Sequence, residues 1–174
     1  MKITEAQIKD YETYARNPDN WVLAARRNLA IAHLLTDRLN ESRGLKENNL
    51  YERSGCFYAS YFHAGVAIEN ALKAVLISRD PSIVKNGTLD IKKFGSQSGH
   101  ALLNPVIKII GTLTDSETKY LIKLEEFTWA GRYSVPIKPD SLYDEKKMKI
   151  IRLSSSKEKD ILDSIFNRLV ESIS

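Results

Sequence analysis

The sequence predicts an all-α fold, an up-and-down bundle of five to six helices forming one domain over residues 1–174, with its core at about 20–172. Two observations lead there. Apolar residues recur at spacings of three and four along several stretches, the period of one helix face. Breakers such as Pro18, Gly44, Gly111 and Gly131 separate those stretches, and no period-two run is strong enough to support a sheet.

A first helix is expected over Thr4 to Arg16, with Ile8, Tyr11 and Ala15 on one side and Pro18 ending it. Asp19 or Asn20 can cap the second, since a short polar side chain accepts from the free amides of a first turn. That helix runs to about Asn40, and Trp21, Ala25, Asn28, Ala32, Leu35 and Leu39 share a face. Its small and polar members permit close approach of another helix. Asn40 to Asn49, with Gly44, reads as a loop.

The strongest signal follows. Tyr61, Gly65, Ile68, Leu72 and Val75 form one stripe, and Phe62, Val66, Glu69, Lys73 and Leu76 form a second beside it. Two adjacent stripes make a wide buried face, so the helix over Tyr61 to Ile77 is expected at the centre. Ser78 to Gly99 reads as a long connection, carrying Asp80-Pro81, Asn86-Gly87 and Gly95, with an ordered turn near Ile83 or Phe94. The next helix uses Leu102, Leu103, Val106, Ile107 and Ile110. It begins either at Asn104-Pro105 as cap and first position, or near His100, and ends at Gly111.

Thr114 and Glu117 form a capping box for a helix that buries Tyr120 or Leu121, Leu124, Phe127 and Trp129. Arg132 to Leu153 reads as loop, with an extended piece at Lys149 to Leu153. Ser155 and Glu158 suggest a second capping box, and the last helix aligns Ile161, Ile165, Leu169 and Ile173.

The chain is 43% hydrophobic and 28% charged, which excludes disorder as the main state. No apolar run approaches the roughly 18 residues of a membrane span, and the N-terminus does not read as a signal peptide. A cytoplasmic setting without membrane association is therefore expected. The single Cys56 excludes an internal disulfide and a cysteine-based zinc site, and reads as a small apolar residue on a helix. Net charge is +4. Between Arg132 and Lys159 eight basic residues face four acids, so the whole excess lies there. Such an excess suits a phosphate-bearing partner or a solvated lysine-rich loop.

The histidines, His33, His63 and His100, lack the spacing and carboxylates of a metal site, so no metal or cofactor is expected. His63 reads as a core or semi-buried residue rather than a base. His33 shares a helix face with Arg26, as a surface pair. Glu69 and Lys73 interrupt an apolar stripe, and charges there need partners. At i, i+4 they can pair with each other, and Glu69 can also receive an arginine from elsewhere. Arg132 follows a helix end, where it can meet free carbonyls or hold a phosphate bidentately. Tyr133 beside it can stack on a base. No phosphate-cradling glycine loop, nucleophile elbow, histidine-glutamate zinc motif or obvious nucleotidyltransferase motif is present.

Three elements in order resemble the HEPN domain family. They are Tyr61-Phe62-His63-Ala64-Gly65-Val66-Ala67-Ile68-Glu69-Asn70-Ala71-Leu72-Lys73-Ala74-Val75-Leu76, then Gly99-His100-Ala101-Leu102, then Glu126-Phe127-Thr128-Trp129-Ala130-Gly131-Arg132-Tyr133 with Pro136. The first carries the Glu-x-x-Leu-Lys-Ala pattern of a central helix, the second a histidine-plus-leucine helix start, the third an Arg-Tyr-Pro element. The resemblance implies a helical bundle, usually a homodimer, tied to nucleotide or RNA biology. It implies a site drawing on Glu69, Lys73, His100, Arg132 and Tyr133, a toxin–antitoxin or defence context, and binding of nucleotide or RNA or partnership with a nucleotidyltransferase.

Many such proteins are metal-independent ribonucleases that use an arginine and a histidine with four to six residues between them. The base takes the ribose 2′-hydroxyl proton and the cation meets the developing phosphorane charge. After Arg132 those positions hold Ile137, Lys138 and Pro139. Arg27 and His33 match the spacing, but six residues apart on one helix they point away from each other. The expected function is therefore a binding module without the usual ribonuclease motif. The alternatives are a ribonuclease toxin with a divergent base, Arg132 and His100 being its catalytic candidates, and a structural helical interaction protein.

Overall fold

The computed structural model describes residues 3–42, 50–90, 101–130 and 157–173. Among these the fold is all-α, with six helices and one small hairpin. The helices are α1 (Glu5–Ala15), α2 (Pro18–Ser42), α3 (Leu50–Arg79), α4 (Leu103–Ile110), α5 (Asp115–Ala130) and α6 (Glu158–Glu171).

Helix α3 is the axis. No residue from 59 to 78 is exposed, because α2, α5 and α6 all pack on it. Ser60, Ala64, Ala67, Ala71 and Ala74 are buried and recur at helical spacing, and Ala25 and Ala32 are the buried positions of α2. Small side chains let two backbones run close, as the small and polar face of α2 led one to expect. Trp21 meets Lys73 while Asn28 meets His63, so the two helices are antiparallel. On the other side, Tyr61, Ile68 and Leu72 join Leu121, Leu124, Phe127, Leu162, Ile165, Phe166 and Leu169 in the main core. A Cβ on Gly65 would lie 1.8 Å from Thr128 Oγ1, so glycine is what allows α5 to cross there.

Helix α1 begins with a Thr4–Gln7 capping box and buries Ala15, but Tyr11 is exposed. The cap of α2 differs from expectation. Asn17 Oδ1 accepts from Asp19 N at 2.9 Å, and Pro18 opens the helix rather than only ending the previous one. Neither Asp19 nor Asn20 is the cap, because a proline suits a first position whose amide has no acceptor.

No sheet was expected, yet Val84–Lys85 and Thr88–Leu89 pair antiparallel after a short 3-10 turn at Pro81–Ile83. The Asn86-Gly87 turn has φ of 53° and 69°, the left-handed pair that matches hairpin twist. Four paired residues are too few to show a period of two, so the turn dipeptide was the legible part. Phe94 lies outside the described residues.

Helix α4 starts at Leu103, which puts Pro105 inside its first turn. Asn104 is not its cap. The amides of Leu102 and Leu103 are met instead by Glu125 Oε1 of α5, at 2.7 and 2.8 Å. Leu102 and Val106 are buried, whereas Ile107 is 42% exposed.

The Thr114–Glu117 box forms in both directions, and α5 buries both Tyr120 and Leu121. Glu117 also accepts from Arg168 Nη1 at 3.0 Å. Burial pushes its pKa up, but the Thr114 amide and hydroxyl, the Arg168 charge and Ser164 outweigh this and hold it below the usual value. Arg168 in turn donates to the Ile110 and Thr112 carbonyls at the end of α4.

Helix α6 begins at Glu158 with Lys157 in the cap position and no side-chain cap. Glu158 bonds Tyr61 and Lys123, and the expected Ser155–Glu158 box lies partly outside the described residues, since Ser155 is not among them. The buried face is Leu162, Ile165, Phe166 and Leu169, so Ile161 is only partly covered and Ile173 falls past the helix end. The expected loop of residues 132–153 lies outside the described residues.

Candidate functional site

The described part of the expected site is on α3. Glu69 Oε1 accepts from Lys73 Nζ at 2.5 Å, the i, i+4 pair predicted from spacing. Glu69 is buried at 9% exposure and the Lys73 side chain is partly buried. The lysine ammonium sits 5.3 Å from the Trp21 ring centroid, within cation–π range. Trp21 is itself fixed by donating to Ala15 O at 2.8 Å. His100, Arg132 and Tyr133 lie outside the described residues.

Behind this pair a second small core forms from Ala15, Ile77, Ile83 and Val84, with Trp21, Leu76 and Leu89 against it. Helix α1 clasps the hairpin. Arg16 donates through Nε and Nη2 to Val84 O at 3.0 and 2.8 Å, and Gly87 N donates to Glu12 Oε1 at 3.0 Å. The N-terminal elements thus hold Trp21 under Lys73.

Further along the α2–α3 seam, His63 Nδ1 lies 2.8 Å from Asn28 Oδ1. Asn28 Nδ2 donates to Ala24 O at 2.9 Å. Burial lowers the pKa of His63. The semi-buried placement expected of His63 holds. His33 departs from its expected pairing with Arg26: its Nε2 is 3.0 Å from Asp163 Oδ1 on α6, out of line for a hydrogen bond. Cys56 is a buried free thiol.

The structure also holds a buried polar cluster that sequence reasoning missed. Lys123, 1% exposed, donates to Tyr61 OH at 2.8 Å and to Glu158 Oε1 at 3.1 Å. Tyr61 OH donates to Glu158 Oε2, and the ammonium stands 4.2 Å from the Tyr61 ring centroid. Burial lowers the lysine's pKa while Glu158 pulls it up. Burial pushes the adjacent Tyr120 phenol well above its usual range, aided by the charges of Glu158, Tyr61 and Asp163. Phe57, Tyr61 and Phe127 wrap the cluster, with Tyr61 and Phe127 stacked at 4.8 Å. A signal existed, since Lys123 falls three residues after Tyr120 and four before Phe127, inside the buried stripe of α5.

Among the described residues no group of His, Cys, Asp and Glu could hold a metal ion, and no helix is long and apolar enough to cross a membrane. Comparison with family models, curated proteins and solved structures finds no match.

Proposed function

We propose that the chain is a HEPN-like helical module that binds nucleotide or RNA, or partners a nucleotidyltransferase, in a toxin–antitoxin or defence setting in the cytoplasm. The observation that carries this reading is the Glu69–Lys73 pair at the edge of the central helix. A partly buried cation beside Trp21 is suited to a phosphate with an adjoining base. Arg132, Tyr133 and His100 are proposed to complete the site, and a homodimer belongs to the same reading.

Purified protein titrated with single-stranded RNA in EDTA tests it. Binding should fall steeply with salt and weaken about tenfold or more in Arg132→Ala and Lys73→Ala, from loss of a charge-assisted contact of about 1.5 kcal/mol or more. Equal binding by both variants and wild type defeats the reading. RNA cleavage lost on Arg132→Ala or His100→Ala would favour the ribonuclease alternative.

A second reading, a structural interaction module, rests on Leu23, Ile31 and Leu34, which are 46%, 39% and 69% exposed along α2. It predicts RNA binding no stronger than that of a charge-matched control.

A further inference from the structure

The Asn28–His63 contact fixes more than the seam. An amide has one accepting and one donating end. Asn28 spends its donating end on the Ala24 carbonyl of its own helix, and the reverse orientation would bring two acceptors together. Its Oδ1 therefore faces His63 and must receive a proton from Nδ1. The neutral imidazole is then the Nδ1–H tautomer, and Nε2 carries a lone pair. The sequence places this group on a helix whose neighbouring positions pack, and nothing in the core requires an acceptor there. Among the described residues Nε2 has no hydrogen-bond partner.

We propose that His63 Nε2 is a fixed hydrogen-bond acceptor for an O–H or N–H donor of the bound nucleic acid, held in that tautomer by Asn28. This rests on the nucleic-acid reading above and divides the labour within it. A neutral nitrogen with a lone pair repels a phosphate oxygen, which offers only lone pairs. Phosphate falls to the cations, and His63 reads a sugar hydroxyl or a base amino group. His63 and Lys73 are ten residues apart on α3, about 15 Å along the axis. That span suits a strand of several nucleotides rather than one. Burial, which lowers the pKa of His63, keeps it neutral near pH 7.

The test uses the full chain labelled with 15N at histidine. Long-range proton–nitrogen NMR at pH 7.5 should show His63 as the Nδ1–H tautomer. Single-stranded RNA should shift the Nε2 resonance, and inorganic phosphate should leave it in place. A matching DNA strand separates the donors: a shift with RNA alone identifies the ribose hydroxyl, and a shift with both identifies a base amino group. His63→Ala should weaken RNA binding about tenfold, the worth of one hydrogen bond. Asn28→Asp should do the same at neutral pH, because a carboxylate beside the ring favours its protonated form and turns Nε2 into a donor. An Nε2–H tautomer overturns the proposal with no ligand present. RNA binding that leaves the Nε2 resonance and both variants' affinities unchanged overturns it while sparing the nucleic-acid reading. Absence of RNA and DNA binding by wild-type protein overturns both.

Discussion

Two lysine–glutamate pairs touch the central helix, and they differ in kind. Lys73 and Glu69 are one turn apart on α3, the lysine side chain 16% exposed, with the ammonium against Trp21. Lys123 and Glu158 come from α5 and α6, and the lysine side chain is 2% exposed. The first pair leaves its cation near a surface where a ligand can compete for it. The second is sealed by Tyr61 and Phe57 and ties three helices together. The same two residue types thus tie helices together in one place and, on the function proposed above, meet a ligand in the other. Burial decides which, since a desolvated charge must keep its partner.

The largest expected effect follows from that seal. Lys123→Ala removes the cation and strands Glu158 and the Tyr61 hydroxyl, and should lower stability by about 3 kcal/mol. Urea denaturation measures it. A loss under about 1 kcal/mol would show that water reaches the cluster. Gly65→Ala comes next. Its methyl meets Thr128, so α3 and α5 must separate at a cost of about 2 kcal/mol. Thr128→Ala in the same chain should restore part of it, since the nearest colliding atom is gone. A double variant no more stable than Gly65→Ala would place the strain elsewhere.

Lys73→Ala should lower stability by about 1.5 kcal/mol, because it takes one partner from the buried Glu69 carboxylate but breaks a contact within a single helix rather than one that ties three together, while RNA binding weakens. Equal losses of stability for Lys73→Ala and Lys123→Ala would erase the distinction between the pairs. The smallest effect concerns pH. The pKa of His63 is lower in the folded chain than its unfolded value near 6.5. The stability it contributes is complete above that value and is lost as pH falls through the folded one. The gap in unfolding midpoint between pH 7.5 and pH 5 should therefore shrink in His63→Gln. An unchanged gap would assign the acid sensitivity to other groups.

How much of this was legible depended on sequence distance. Glu69 and Lys73 are four apart, so their pairing was written in the spacing. Thr114 and Glu117 were equally local, and their box formed. The cap of α4 was not legible, because its acceptor, Glu125, lies more than twenty residues downstream on another helix. Tyr61 was placed correctly in the packing stripe, but its hydroxyl partners come from α5 and α6. The hairpin was seen only as a turn, because two residues per strand carry no periodicity. For the site, the acid–base pair on α3 was foreseen, and the Asn28–His63 bond needed the α2–α3 register that no local pattern reveals.

The sealed cluster also imposes an order of assembly. A ribosome makes Tyr61 first, Lys123 next and Glu158 last. Until α6 emerges, the Lys123 ammonium has no Glu158 carboxylate, and the faces of α3 and α5 that receive Leu162, Phe166 and Leu169 stay open to water. The nascent chain can pair α2 with α3 early, yet it cannot close its core before Glu158 is in place. During that interval a chaperone has an apolar face to hold.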